Sequence, residues 1–393
     1  MVDELESFRE QARAWLSVNA RPLRWEDEPV IGLIREIHSA DEVRQVREWN
    51  RAKFDGGWAG ITWPRRHGGQ ARSAAAQLAW KQEVSRFDTA EEGCVVGPAL
   101  AGPIILDHGS PEQRDRYLRA ILRGTHIWCQ LFSEPEAGSD LASLSTAARP
   151  DGDGWLVNGH KIWSSVAQFA DRGLLLARTD GSVAKHRGIT CFALDMRTPG
   201  ITVRPIVQMN GQQTFNEVFL DDVRIPDGDR IGDVGNGWRI AMNTLTTERL
   251  DLGLRGGVNV PRLLRLATGT TVDGVPAADV PAYRDRLVDV CVRVESLRAL
   301  GRDAVLRAMA GEAPGPHGSI AKLVGAQLMN DAANLALDMQ GPFGMIAGDD
   351  APENGVWQHG FLSSPARRIG GGTDEIQRNI IAERHLGLPR EPA

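Results

Sequence analysis

Three stretches of this chain combine residue types that can do chemistry. The first is Thr247-Glu248-Arg249-Leu250. Trp238, Ala241, Leu245 and Leu252 recur at spacings of 3, 4 and 7, one face of a helix, and Glu248 falls in that row. A carboxylate on the buried stripe of a helix is rare unless paired, and partial desolvation raises its pKa toward that of a useful general base. A structural ion pair with Arg249 is the alternative. The second stretch is the tail, Arg367-Arg368-Ile369-Gly370-Gly371-Gly372-Thr373-Asp374-Glu375-Ile376-Gln377-Arg378-Asn379. Its glycines let the backbone approach a ligand, Thr373 can cap the helix that follows, and the helix start offers unpaired N–H groups. The third is a pair of segments. In Gln130-Leu131-Phe132-Ser133-Glu134-Pro135-Glu136-Ala137-Gly138-Ser139-Asp140 a strand ends in a loop whose N–H groups and Ser139 can meet the polar edge of a flat heterocycle. An ordinary strand-to-turn connection accounts for the same residues. In Lys161-Ile162-Trp163-Ser164-Ser165 a period of two puts Trp163 and Ser165 on one face, the ring to pack and the hydroxyl to donate. A core tryptophan beside a solvated serine is the alternative.

These residues need elements to position them. Up to about residue 122 the spacing is helical, with Phe8, Ala12, Trp15 and Leu16 in one row and Val43, Val46 and Trp49 in another. Residues 73–87 predict a further helix, and Ser110-Pro111 starts another. From about 127 to 226 the period falls to two. Trp155–Trp163 predicts a hairpin with its turn at Asn158-Gly159, and Leu174–Ala177, Ile189–Leu194, Ile201–Val203 and Val218–Phe219 predict strands. From Gly237 to Leu386 the helical period returns, broken at Thr268–Pro281 and again over Gly341–Ser364. Helices, a β block and helices again is not the βα alternation of a Rossmann or TIM fold. No GxGxxG follows a strand and no GxxxxGK[ST] occurs, which disfavours nicotinamide and nucleoside triphosphate cofactors.

Composition narrows the classes further. The 393 residues carry a net charge of −6 with Lys and Arg dispersed, so no basic stripe points to nucleic acid. Cys94, Cys129, Cys191 and Cys291 stand apart without a CxxC pair and read as reduced thiols in a cytoplasmic protein. The acidic start is no signal peptide, and no apolar run approaches the roughly 20 residues that span a bilayer. No two histidines stand i, i+4 and no His/Cys cluster has metal spacing, so no metal is expected. Ser139 lies in no GxSxG turn.

Taken together, 130–140 and 161–165 closely resemble the flavin loop and flavin-facing strand of the acyl-CoA dehydrogenases. The resemblance continues in Gly57-Trp58-Ala59-Gly60-Ile61-Thr62-Trp63-Pro64 with His67-Gly68-Gly69, in Phe215–Pro226, in Gly235-Asn236-Gly237-Trp238 and in the tail, covering nearly the whole chain in order. It implies an α+β fold: an N-terminal helical domain (1–122), a central β-barrel-like domain (123–232) and a C-terminal four-helix bundle (233–393). It implies FAD, held by the backbone near Phe132 and Ser133 and by Ser139, Trp163, Ser165, Thr373 and Glu375, with part of the site from a neighbouring subunit. The implied reaction is α,β-dehydrogenation of an acyl-CoA thioester. A carboxylate takes the α proton and flavin N5 receives the β hydrogen as hydride.

Many members place that carboxylate just before the Gly-Thr pair, where this chain has Gly371. A branch with isovaleryl- and long-chain-type enzymes carries it as Glu-Arg in the helix after the β domain, which Glu248-Arg249 matches. The resemblance therefore implies Glu248 as base, Arg249 at the substrate and the Gly371 N–H on the thioester oxygen. Glycine at 371 leaves room for a branched or bulky acyl chain, such as a sterol side chain. Two departures stand out. Glu136 replaces a common glycine. No Lys or Arg lies between Arg265 and Arg284, where members place an arginine for the FAD pyrophosphate of the adjacent subunit. This loss resembles a bacterial group, some of whose members pair with a second, different dehydrogenase-like subunit. The implied partners are acyl-CoA, an electron-transfer flavoprotein or similar acceptor, and either a sister copy or that second subunit. An acyl-CoA oxidase, a flavin monooxygenase and a partner subunit of a hetero-oligomeric dehydrogenase are the alternatives. A monooxygenase has no use for an α-proton base.

Overall fold

The computed structural model describes residues 2–24, 29–32, 37–91, 93–242, 257–309, 312, 315–348 and 350–390. Two units emerge, Met1–Pro22 with Ile34–Thr247 and Leu23–Leu33 with Glu248–Ala393. Among the described residues no helix is long and apolar enough to cross a membrane.

The first unit opens with α1 (Val2–Asn19), a short strand β1 (Arg21–Pro22), α2 (Ala40–Asp55), α3 (Ala74–Val84), β2 (Phe87–Asp88), α4 (Gly102–His108) and α5 (Pro111–Leu122). Hydroxyl caps set the helix starts. Ser39 Oγ accepts from the Glu42 amide at 3.2 Å while Glu42 Oε2 accepts from the Ser39 amide at 3.0 Å. Ser110 and Gln113 repeat the device at α5, with Pro111 at its first turn. The predicted rows face inward: Phe8, Ala12 and Leu16 share a core with Val43, Val46, Trp49 and Trp80.

An eight-stranded sheet follows: β3 (Trp128–Leu131), β4 (Ala147–Asp151), β5 (Gly154–Lys161), β6 (Arg172–Arg178), β7 (Ile189–Asp195), β8 (Ile201–Pro205), β9 (Asn216–Pro226) and β10 (Arg230–Ile231). The order is β10-β7-β6-β4-β5-β9-β8, with β3 joining β6 in parallel. Alternation along β6 splits two cores. Leu174 and Leu176 pack with Leu118 and Ile121 of α5, whereas Leu175 and Ala177 pack with Trp155, Phe192 and Val218. A helix beginning at 237 (α6) is described to 242 and buries Ile240 and Ala241.

The Asn158-Gly159 turn is not there. β5 runs straight through both residues, and the hairpin turn lies earlier, at Gly152-Asp153 between paired Asp151 and Gly154. Asn158 instead faces a bulge in β9: its amide donates to Asp222 Oδ1 at 2.9 Å and its oxygen accepts from the Asp222 amide at 2.9 Å. Gly159 is glycine because a Cβ there would stand 2.3 Å from Thr146 Oγ1.

The second unit holds α7 (Val260–Gly269), a hairpin of β11 (Thr271–Val272) and β12 (Val275–Pro276), then α8 (Pro281–Met309), α9 (His317–Gln340), α10 (Val356–Ile369) and α11 (Asp374–Arg384). Leu263, Leu287, Val294, Leu328, Leu335 and Trp357 form its core. The break expected over 268–281 contains that hairpin, with Asp273 and Gly274 both at positive φ (51° and 80°). The irregular stretch expected over 341–364 stops at 355. α10 begins at Val356 and runs through Gly360 and Pro365, and Gly360 lets the helix approach Val30 and Ile31.

Candidate functional site

β3 delivers Phe132 and Ser133 to the edge of a loop, and the Ile162 amide donates to the Ser133 carbonyl at 3.0 Å. This bond sets the loop after β3 beside the residues that follow β5. Phe132, Ser133 and Trp163 are thereby brought together. Trp163 and Ser165 do not share a strand face as the period of two predicted. β5 ends at Lys161, and Trp163 sits at φ 58°, a left-handed residue that turns the chain. Trp163 is 54% exposed, and its ring meets the Phe215 ring edge-on at 5.9 Å. Ser164 is buried and exchanges backbone hydrogen bonds with Asn216, while Ser165 is half-buried. Ser139 stands exposed beyond the Glu134–Ala137 bridge.

Beneath this loop lies an ion pair that sequence reasoning missed. Lys161 Nζ donates to Glu134 Oε1 at 2.8 Å and to the Phe132 carbonyl at 3.0 Å. Glu134 also accepts from the Ser145 amide (2.6 Å), the Ser145 hydroxyl (2.7 Å) and the Thr146 amide (2.9 Å). The two side chains are 0% and 4% exposed. Burial pushes the Glu134 carboxyl up, but the Lys161 charge and these donors outweigh it and hold it at about 2. Burial pulls Lys161 down to about 8 against the attraction of Glu134. Glu134 keeps three donors besides Lys161, and each favours its carboxylate form. The readable signal was position: Lys161 is in phase with buried Trp155 and Val157 of the same strand.

In the second unit, Gly371 and Gly372 adopt φ of 71° and 95°, and Thr373 caps α11 by accepting from the Ile376 amide at 3.3 Å. The turn is held by its carbonyls. Buried Gln377 donates to Gly371 O (3.0 Å) and Gly372 O (3.3 Å), and buried Lys322 donates to Gly372 O (2.5 Å) and Arg368 O (3.2 Å). Asp374, 2% exposed, accepts from Arg368 at 2.7 Å. The Gly371 N–H donates to no described residue. Glu375 is exposed, 3.7 Å from Arg378. Glu248 and Arg249 lie outside the described residues.

Comparison with known proteins now bears on this arrangement. Sequence models of the acyl-CoA dehydrogenase N-terminal, middle and C-terminal domains match residues 3–125, 129–223 and 235–386. The chain is 38% identical to acyl-CoA dehydrogenase IpdE1 of Mycobacterium tuberculosis over 394 residues, covering 99% of each protein. The chain belongs to the acyl-CoA dehydrogenase family. Its fold resembles the solved Tcur3481-Tcur3483 steroid ACAD with a TM-score of 0.82 and 27% identity, over 99% of this chain and 98% of that one. It also resembles the ChsE4-ChsE5 complex from Mycobacterium tuberculosis, with a TM-score of 0.76 and 27% identity over 98% of each chain. Acyl-CoA dehydrogenases are FAD-dependent oxidoreductases of lipid β-oxidation. The residues around the β3 loop fit a flat cofactor of that kind. The Ser133 N–H donates to no described residue, and exposed Trp163 follows Ile162, whose amide bonds the Ser133 carbonyl.

Proposed function

We propose that this acyl-CoA dehydrogenase desaturates a branched or bulky acyl-CoA thioester at its α and β carbons, with Glu248 as the base. The domain plan is 1–122, 123–232 and 233–393. FAD supplies the hydride acceptor when bound. The backbone at Phe132 and Ser133 holds it, with Ser139, Trp163 and Ser165 from the same region and Thr373 and Glu375 from the tail. The observation that carries the reading is the tail turn. Position 371 has no side chain to act as base, yet its N–H has no partner among the described residues and its carbonyl is fixed by Gln377, as a donor to a thioester oxygen requires. With glycine there, the proton falls to Glu248, and Arg249 assists at the substrate. The name of the solved steroid ACAD supports a substrate with a bulky ring or sterol side chain.

Two of the similar structures carry paired names, one of them explicitly a complex, which supports a hetero-oligomer with a second dehydrogenase-like subunit. The β11–β12 hairpin that occupies the arginine-free stretch supports the same reading. An electron-transfer flavoprotein or similar protein would reoxidise the enzyme. The test is the visible spectrum of the purified protein, alone and with any co-purifying subunit, followed by bleaching with a panel of acyl-CoAs. Glu248→Gln should stay yellow and lose bleaching by every acyl-CoA. Retained turnover sinks the assignment of the base.

A further inference from the structure

The Lys161–Glu134 pair is costly as a stability device. Both charges are withdrawn from water, and a buried ion pair commonly gives no more stability than apolar residues of the same size. Its geometry serves another end. The ammonium draws the Phe132 carbonyl inward at 3.0 Å, and all peptide bonds among the described residues are trans. In a trans peptide the N–H points opposite to the C=O, so the anchored carbonyl turns the Ser133 N–H away from Lys161. That N–H has no partner among the described residues. The next carbonyl, of Ser133, is taken by the Ile162 amide at 3.0 Å, which fixes the following peptide plane as well. Glu134 completes the device. Its three other donors, at Ser145 and Thr146, tie the loop to the start of β4.

From this we infer that Lys161 and Glu134 are positioning residues for the flavin: they lock the Phe132–Ser133 peptide so that the Ser133 N–H is presented to the cofactor's polar edge. The inference rests on the flavin reading above. It assigns the pair to preorganisation of a donor rather than to the strength of the fold.

The experiment compares wild type, Lys161→Met and the Lys161→Met/Glu134→Gln double variant, each purified with any subunit that accompanies it. The single variant strands a buried carboxylate and should melt lower. The double variant removes both charges and keeps a carboxamide oxygen for the two Ser145 donors, losing the acceptor of the Thr146 amide; with no stranded charge it should fold and melt above the single variant. Its FAD dissociation constant should rise at least ten-fold and the visible circular dichroism of its flavin should change shape. A double variant with wild-type FAD affinity and wild-type flavin dichroism overturns the inference, even if it melts lower. If the double variant fails to fold, hydrogen exchange on wild type decides. FAD should slow exchange of the Ser133 amide, and an unchanged rate overturns the proposal. Wild type that takes up no FAD under any of these conditions removes the flavin reading itself, a different outcome from a flavin-loaded double variant.

Discussion

Lys322→Met should destabilise the second unit by an amount the structure lets one work out. Lys322 is 4% exposed, and its ammonium supplies hydrogen bonds to the carbonyls of Arg368 and Gly372. It also stands 3.9 Å from Asp374, itself 2% exposed. Hydrogen bonds from a charged donor contribute about 1.5–3 kcal/mol each. Removing one partner of a buried charge pair costs about 3–5 kcal/mol, because the other charge stays behind. Asp374 would keep Arg368, but that side chain is 45% exposed and its compensation is discounted for solvent screening. Against these losses, a methionine of similar length carries no ammonium to desolvate. The balance is about 3 kcal/mol. At about 2–4 °C per kcal/mol for a unit of this size, the melting midpoint falls by about 6–12 °C. Calorimetry of Lys322→Met beside wild type reads this directly. Asp285→Asn serves as control, since Asp285 is exposed and surface changes stay within about 0.5 kcal/mol. A shift of Lys322→Met below about 2 °C would show that the carbonyl clamp contributes little.

Three further outcomes are expected. Tyr117, buried against Asp229 at 2.6 Å, has its hydroxyl pushed up to about 12 by burial and then by that carboxylate. Its folded value exceeds the ordinary tyrosine value of about 10, so its contribution is complete below pH 10 and is lost as pH rises toward 12. Absorbance at the phenolate band should show one of the two tyrosines ionising only near pH 12 in native protein. Among the cysteines, half-buried Cys291 should react first with a thiol reagent. Cys94 and Cys129, pushed up to about 12 by burial, and buried Cys191 should react only after denaturation. Rapid reaction of two or more thiols in native protein contradicts this packing. Gly159→Ala should force β5 off Thr146 and lower stability by about 1–3 kcal/mol, measured by chemical denaturation; a neutral result would mean β4 can yield there.

Much of the helical framework was legible because its signals are local. Ser110 and Thr373 announce helix starts through their own hydroxyls, and the rows at Phe8–Leu16 and Val43–Trp49 need only a period. The strands at 174–177 and 189–194 were readable for the same reason. The failures are non-local. Asn158-Gly159 has the composition of a turn, but the reason for its glycine is Thr146, a neighbour on the adjacent strand. The left-handed φ of Trp163 answers to the pairing of Ser164 with Asn216, 52 residues on. Lys161 with Glu134, and Lys322 with the tail, are ion pairs between distant parts of the chain, and a sequence shows each partner only as one more charged residue.

The clamp on the tail also bears on how such a chain can evolve. Gln377 and Lys322 grip the turn by its carbonyls, so no side chain at 370–372 is needed to hold it. The φ of 71° at Gly371 makes that tolerance one-sided. Losing a side chain there is free, whereas regaining one places an L-residue in the left-handed region at about 1–2 kcal/mol. A carboxylate introduced at 371 would have to offset that strain, or shift the turn, before it could act.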